Sequence, residues 1–403
     1  LVGPALITEV ANFLAVAEGP AFAGQADFRL TLLSVVEALS QHPPTLLRHA
    51  EAVVASLVPA LVHALSHSGS GDTRFLCLKL MCDLLLPLLY GGEQGGAEDA
   101  AASSDEMALA RAAESLVREQ ILPLCPRLLD DEDPIPLYAL KLLGGALEVA
   151  PAIIPETLKF SLPERFFEFL SLEHTNNNVH NVRLCLLVAT CGDVETAHLD
   201  RLHAAPKVAD VLGYAFDNLV EPFMMPALGI CHALLGRHIE AGKAGAGSNS
   251  SGAPPAKMQT GALVGTATVF LEVAAASDPP LAELASDCLG LLTDAFPEGV
   301  AAELLAQASV SRVTAVLDQL AQDAAAPEPV GGGPQAQRTV LRALAAAFHA
   351  EARGGGRVTA GGLGSGDLGV IESALQRLRG AGAPEVAKAS EDVLASLALL
   401  SSA

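Results

Sequence analysis

"LCPRLLDDEDPIPLYALKLLGGALEVAP", residues 124–151, sets a run of acids and two prolines between two Leu-rich stretches. A helix ending at Leu129 leaves unpaired carbonyls, and a helix that follows needs an N-cap and favours anions at its positive end. Asp130, Asp131, Glu132 and Asp133 are the expected source of both. Pro134 and Pro136 suit the first turn of the second helix, where a missing N–H costs nothing. A calcium loop is excluded, because the stretch lacks the Gly and the spaced oxygen ligands of an EF-hand. The acids therefore read as the turn of a helical hairpin, and the Leu runs as faces that neighbours must cover.

The same form recurs along the chain. Segment 57–86, "LVPALVHALSHSGSGDTRFLCLKLMCDLLL", superposes on 121–150: an apolar helix, a polar turn containing Asp, then a second apolar helix. Segment 162–193 repeats it with an Asn-rich turn, and 266–296 with Ser277-Asp278-Pro279-Pro280. Apolar residues recur at helical spacing almost everywhere, as in Leu184, Leu187, Val188 and Cys191. Copies spaced by roughly 40 to 65 residues lie in or just above the range of armadillo and HEAT units. Leu and Ala dominate, aromatics are only 4% and Trp is absent, which favours helices over a β-sandwich. The fold class is thus an all-α, armadillo/HEAT-type helical-repeat solenoid, one array over 1–403. Four Gly/Ala/Ser/Pro-rich inserts, 91–105, 241–257, 324–337 and 353–369, are expected to be flexible loops between its helices.

Charge and motifs narrow the function. A net charge of -22 argues against a phosphate-backbone partner, so nucleic acid is not expected. Locally the sign reverses: over 338–379 six arginines, Arg338 and Arg342 among them, face only Glu351, Asp367 and Glu372. That stretch is a candidate contact for an acidic protein surface, against its reading as a solvated helix face. Mean hydropathy is positive, but the most apolar windows are broken by Lys79 and Asp83 or by Glu272, so no transmembrane helix and no membrane partner are expected. The cysteines Cys77, Cys82, Cys125, Cys185, Cys191, Cys231 and Cys288 are scattered among Leu, Ala and Val, and read as reduced, buried side chains of a cytoplasmic protein.

No triad, metal or phosphate-loop signature stands in its required context, so no catalytic residue, metal, cofactor or small-molecule substrate is expected. "GSGDLG" at 364–369 follows other glycines rather than a strand. Without Trp, the basic-peptide groove of the nuclear-import armadillo proteins is disfavoured. Asn181 and Asn218 are read either as clamps on a bound backbone or as turn and capping residues. Phe223, Met224 and Met225 form either an exposed sticky patch or core packing.

The segment "DDEDPIPLYALKLLGGALEVAP", with Asp133-Pro134, the run Pro136 to Leu143 and Glu148, resembles the C-terminal armadillo-like region of the Fused and Unc-51-like-four kinase group, which includes the plant relative Runkel. "REQILPLCPRLL" before it fits the same pattern. The resemblance implies the non-catalytic part of a longer polypeptide with a kinase or pseudokinase domain N-terminal to it. It also implies attachment to a microtubule-associated assembly such as the ciliary central apparatus. A first residue of Leu1, with no signal-like segment, agrees with a piece of a longer chain. The expected role is a protein-interaction scaffold in the cytoplasm and cytoskeleton, in a cilium or axoneme if the resemblance holds. The alternative is a HEAT/armadillo cargo adaptor unrelated to kinases.

Overall fold

A computed structural model describes residues 3–17, 26–91, 104–247, 259–276, 278–325, 333–354, 365–381 and 383–402, and among these there is no β-strand. The chain is an all-α helical-repeat solenoid. Its contacts divide it into two compact units, Leu1–Asp193 and Val194–Ala403, where the repeat pattern alone suggests one array.

Unit 1 contains α1 (Pro4–Ala17), α2 (Ala26–Ser40), α3 (Pro43–Arg48), α4 (Ala50–Ala52), α5 (Val58–His67), α6 (Gly71–Gly91), α7 (Ser104–Leu116), α8 (Cys125–Leu129), α9 (Ile135–Val149), α10 (Ile154–Thr157), α11 (Leu162–Phe169) and α12 (Val179–Thr190). Unit 2 contains α13 (Thr196–Arg201), α14 (Ala204–Asp217), α15 (Glu221–Gly247), α16 (Ala267–Ala276), α17 (Pro279–Ala295), α18 (Pro297–Leu304), α19 (Val310–Ala325), α20 (Pro334–Gly354), α21 (Ser365–Ala381) and α22 (Pro384–Ser402).

The segments superposed in the sequence are the hairpins α5/α6, α8/α9, α11/α12 and α16/α17. Within unit 1 the second helices stack in one row, α6 on α9 and α9 on α12. In unit 2 two rows form: α15, α17, α20 and α22 in one, α16, α19 and α21 in the other. Each helix thus touches the equivalents before and after it, the nearest-neighbour pattern of a repeat array. Leu140, Leu143 and Leu147 of α9 are buried between rows. Each contributes about 1.5 to 3 kcal/mol of apolar burial.

A small residue sets how closely α6 and α9 approach. A Cβ added to Gly145 would lie 2.3 Å from Leu86 Cδ2 and 3.2 Å from Tyr90 Oη, whereas one on Gly144 meets nothing within 4 Å. Gly145→Val is expected to destabilise by about 1 to 3 kcal/mol through overpacking. Gly144→Ala should be neutral or stabilising by up to about 1 kcal/mol. Thermal melts followed by circular dichroism check both; equal effects at the two positions would refute the close-packing account.

Two segments show local detail that their composition does not suggest. The described ends of the four inserts are helical: 104–105 open α7, 241–247 continue α15, 324–325 close α19, 334–337 open α20, and 353–354 with 365–369 belong to α20 and α21. Most of the remaining insert residues lie outside the described residues. An Ala-rich stretch next to an apolar helix can continue that helix, because Ala has the strongest helix propensity. "GSGDLG" accordingly runs into the first turns of α21. Likewise, one described run, Ala50–His67, is long and apolar enough to cross a membrane by length and composition. It includes a π-turn at Val53–Leu57, and 56% of it is buried within the protein, as in a core helix.

Candidate functional site

The acidic turn at 130–133 does not cap α9. No side chain caps that helix: Pro134, after a cis peptide bond from Asp133, occupies the N-cap position, and Pro136 lies in the first turn. The acids point to other repeats. Arg74 of α6 holds Asp131 through two hydrogen bonds, Nε to Oδ2 at 2.8 Å and Nη2 to Oδ1 at 2.7 Å, with both side chains only 12% exposed. Asp130 accepts from Arg165 of α11 at 2.8 Å. Arg127 donates to the Ser66 carbonyl of α5 at 3.3 Å. The turn is therefore a junction between three successive hairpins. The Arg74 guanidinium holds the Asp131 carboxyl below its ordinary range.

A second ladder follows the stacked helices. Glu37 of α2 pairs with Lys79 of α6 at 2.6 Å, and Glu148 of α9 joins Tyr90 of α6 at 2.7 Å to Arg183 of α12 at 2.6 Å. Unit 2 uses the same device. Glu272 of α16 pairs with Arg312 of α19, and Asp318 of α19 with Arg377 of α21. In the other row, Asp294 of α17 pairs with Arg342 of α20 at 3.3 Å, and Arg338 of α20 with Glu385 of α22 at 2.8 Å. This changes the reading of the Arg-bearing stretch. Arg338, Arg342 and Arg377 are matched by carboxylates that lie outside 338–379 in sequence. Arg338 and Arg342 do share one groove, of about 520 Å³, but Glu385 and Asp392 line it with them. Its surface is mixed in sign.

The asparagines take different roles. Asn178 caps α12, its Oδ1 accepting from the His180 and Asn181 amides. Asn181 is fully buried and donates Nδ2 to the Phe166 carbonyl of α11 at 3.0 Å, so it ties two helices together and is neither clamp nor turn residue. Asn218 is the C-cap of α14, its Nδ2 donating to the Tyr214 carbonyl.

The Phe223 to Met225 patch resolves into a groove. Met224 is 6% exposed and part of the core, Phe223 is half-buried, and Met225 is 40% exposed. Met224 and Met225 line a cavity of about 520 Å³ with Phe216, Leu219, Val273 and Leu281, and Glu221 and Asp278 stand at the same cavity. Leu219, which sequence reasoning missed, decides its form. The Leu219 amide donates to the Phe216 carbonyl at 3.3 Å and the Val220 amide to Ala215 at 2.8 Å. These bonds make a Schellman motif, which places Leu219 at φ 56° where Gly is usual. A left-handed L-residue costs about 1 to 2 kcal/mol, yet the Leu219 side chain is 84% exposed. The available signal was a helix stop, Asp217-Asn218-Leu219-Val220, without a glycine.

Among the described residues no group of His, Cys, Asp or Glu is placed to hold a metal ion. Burial pushes the Cys82 and Cys125 thiols up to about 12, and raises Cys231 and Cys288 as well, which removes thiolate at neutral pH. Cys191 is half-buried and the other cysteines are buried.

Comparison with known proteins agrees with this architecture. Residues 1–155 match the family described as "Serine/threonine-protein kinase ULK4-like, HEAT repeats", and residues 162–403 match the "RUNKEL ARM-repeat domain". The "Serine/threonine-protein kinase RUNKEL" of Arabidopsis thaliana is 29% identical over 79% of this chain and 24% of its own length. The "Serine/threonine-protein kinase ULK4" of Mus musculus is 24% identical over 69% of this chain and 23% of its own. The chain thus spans about a quarter of the length of these relatives. Among solved structures, an engineered protein aligns over 98% of this chain and 95% of its own at 14% identity with a TM-score of 0.43, too distant a likeness to bear on function. The match over 162–403 covers more than half of the chain, and with the match over 1–155 it shows that the chain belongs to the RUNKEL ARM-repeat family, as an ARM/HEAT repeat region of the ULK4/Runkel group.

Proposed function

We propose that this chain is the non-catalytic docking region of a larger kinase or pseudokinase polypeptide, and that it attaches that polypeptide to a microtubule-associated protein complex such as the ciliary central apparatus. The observation that carries the reading is the repeat array itself: stacked hairpins joined by ion pairs form a stiff binding surface, and six of the seven cysteines are buried. The relatives' names describe them as kinases, and each is about three times as long as this chain, which supports a catalytic domain elsewhere in the polypeptide. The place of action in this reading is the cytoplasm and its cytoskeleton, including the axoneme.

The expected contact is through other proteins. A chain of net charge -22 is repelled by acidic tubulin surfaces. Arg338 and Arg342, which could offset this, are already paired within the protein with Glu385 and Asp294. Co-sedimentation separates the alternatives. Little binding to bare microtubules at low or high salt is expected, with recovery on microtubules that retain their associated proteins. Strong binding to bare microtubules that persists in the Arg338→Ala/Arg342→Ala double variant sinks the indirect attachment. Failure to bind either preparation sinks the microtubule reading altogether.

A further inference from the structure

We propose that the groove at the start of α15 binds a protein segment carrying one large apolar side chain flanked by Lys or Arg. This names the partner chemistry for a scaffold and rests on the docking role above.

The cavity of about 520 Å³ suits a single Leu, Met or Phe anchor plus adjoining backbone. Its lining combines Phe216, Met224, Val273 and Leu281 with two exposed members, Leu219 and Met225. Met side chains adapt to different anchors, as at other promiscuous binding surfaces. Leu219 is the sharper clue. The fold asks for glycine at this left-handed position, and the side chain that stands there is 84% exposed, so little of it is used in packing. A strained residue kept where the fold gains little points to use by a partner.

Charge selects the occupant. Glu221 and Asp278 at the cavity are both exposed and pair with no cation among the described residues. Asp217, two residues before Leu219, is exposed as well. Among the described residues, Arg312 faces this region from a packed helix; it lies 6.0 Å from the Phe216 ring centroid and is already paired with Glu272. The cavity therefore carries excess negative charge around an apolar floor. A second copy of the chain, itself at -22, is a poor match. A basic segment with an apolar anchor satisfies both features.

The test titrates the 403-residue chain into a labelled peptide with one central leucine flanked by arginines, read by fluorescence anisotropy. Saturable binding that weakens with salt is expected. Leu219→Gly and Met225→Glu should each weaken it by at least about tenfold. Leu219→Gly also relieves the left-handed strain, so an unchanged or raised melting temperature shows that lost binding is not lost folding. Glu221→Gln with Asp278→Asn should lower both affinity and salt dependence. The idea is overturned if a glutamate-flanked peptide binds equally well, if Leu219→Gly binds as the parent does, or if the groove instead mediates self-association that Met225→Glu abolishes in sedimentation velocity. The same variants in the co-sedimentation assay separate the two readings. Lost peptide binding with docking intact removes the groove from docking. Peptide binding without any docking overturns the microtubule role and leaves the groove.

Discussion

Arg74→Ala is expected to destabilise the chain by about 2 to 3 kcal/mol, a large share of the margin of an ordinary domain. The guanidinium makes two parallel bonds to Asp131, and both side chains are 12% exposed. Removing it strands a mostly buried carboxylate. A geometric account, rather than one of bare charge, predicts that Arg74→Lys recovers less than half of the loss, since an ammonium cannot match the fork. A double-mutant cycle with Asp131→Ala should return a coupling of at least about 1 kcal/mol. The pH dependence follows in sign. Asp131 titrates below its unfolded value, mainly through its hydrogen bonds from Arg74. Its stabilisation is therefore complete above an unfolded pKa of about 3.9 and is lost as the pH falls through the lower native value. Urea midpoints measured from neutral pH down should show this acid limb in the parent and a shallower one in Arg74→Ala. Identical limbs in the two proteins contradict the ion-pair account.

Asn181 gives the second large effect. It is fully buried in the third position of α12, and its Nδ2 reaches the Phe166 carbonyl, which also accepts from the Leu170 amide and the Cys185 thiol. Asn181→Ala opens a cavity and removes one of these donors, at about 2 to 3 kcal/mol. Asn181→Asp should be worse, about 3 to 4 kcal/mol, because it replaces the donor with a carboxylate oxygen facing a carbonyl and buries a charge. Asn178→Ala removes only the cap, at about 1 kcal/mol. The order Asp, then Ala, then the Asn178 variant, read from urea melts, is the test. If Asn181→Asp proved as stable as the parent, the inter-helix tie would be disproved.

These positions show which parts of the fold were legible. Helical periodicity in 121–150 correctly placed the end of α8 at Leu129, because local spacing and Pro positions decide where a helix can run. The acids at 130–133 were placed in the right turn and given the wrong partners. Capping is a local interaction and so was the natural inference, whereas Arg74 and Arg165 lie 57 and 35 residues away in sequence. The charge around Arg338 and Arg342 was incomplete for the same reason: counted along a segment, it omits Glu385 and Asp294, which packing brings beside it. The groove at α15 was half visible, through Met224 and Met225. Its decisive member, Leu219, depends on a backbone angle that apolar patterning does not encode.

The all-α repeat class, the hairpin unit and the kinship of 118–151 are legible along the chain, since each rests on periodicity, turn residues or a local motif. Which charges are spent between repeats, and which surface stays open, emerges with packing. Those outcomes depend on pairs from different hairpins, and stacking, rather than spacing along the chain, chooses the pairs.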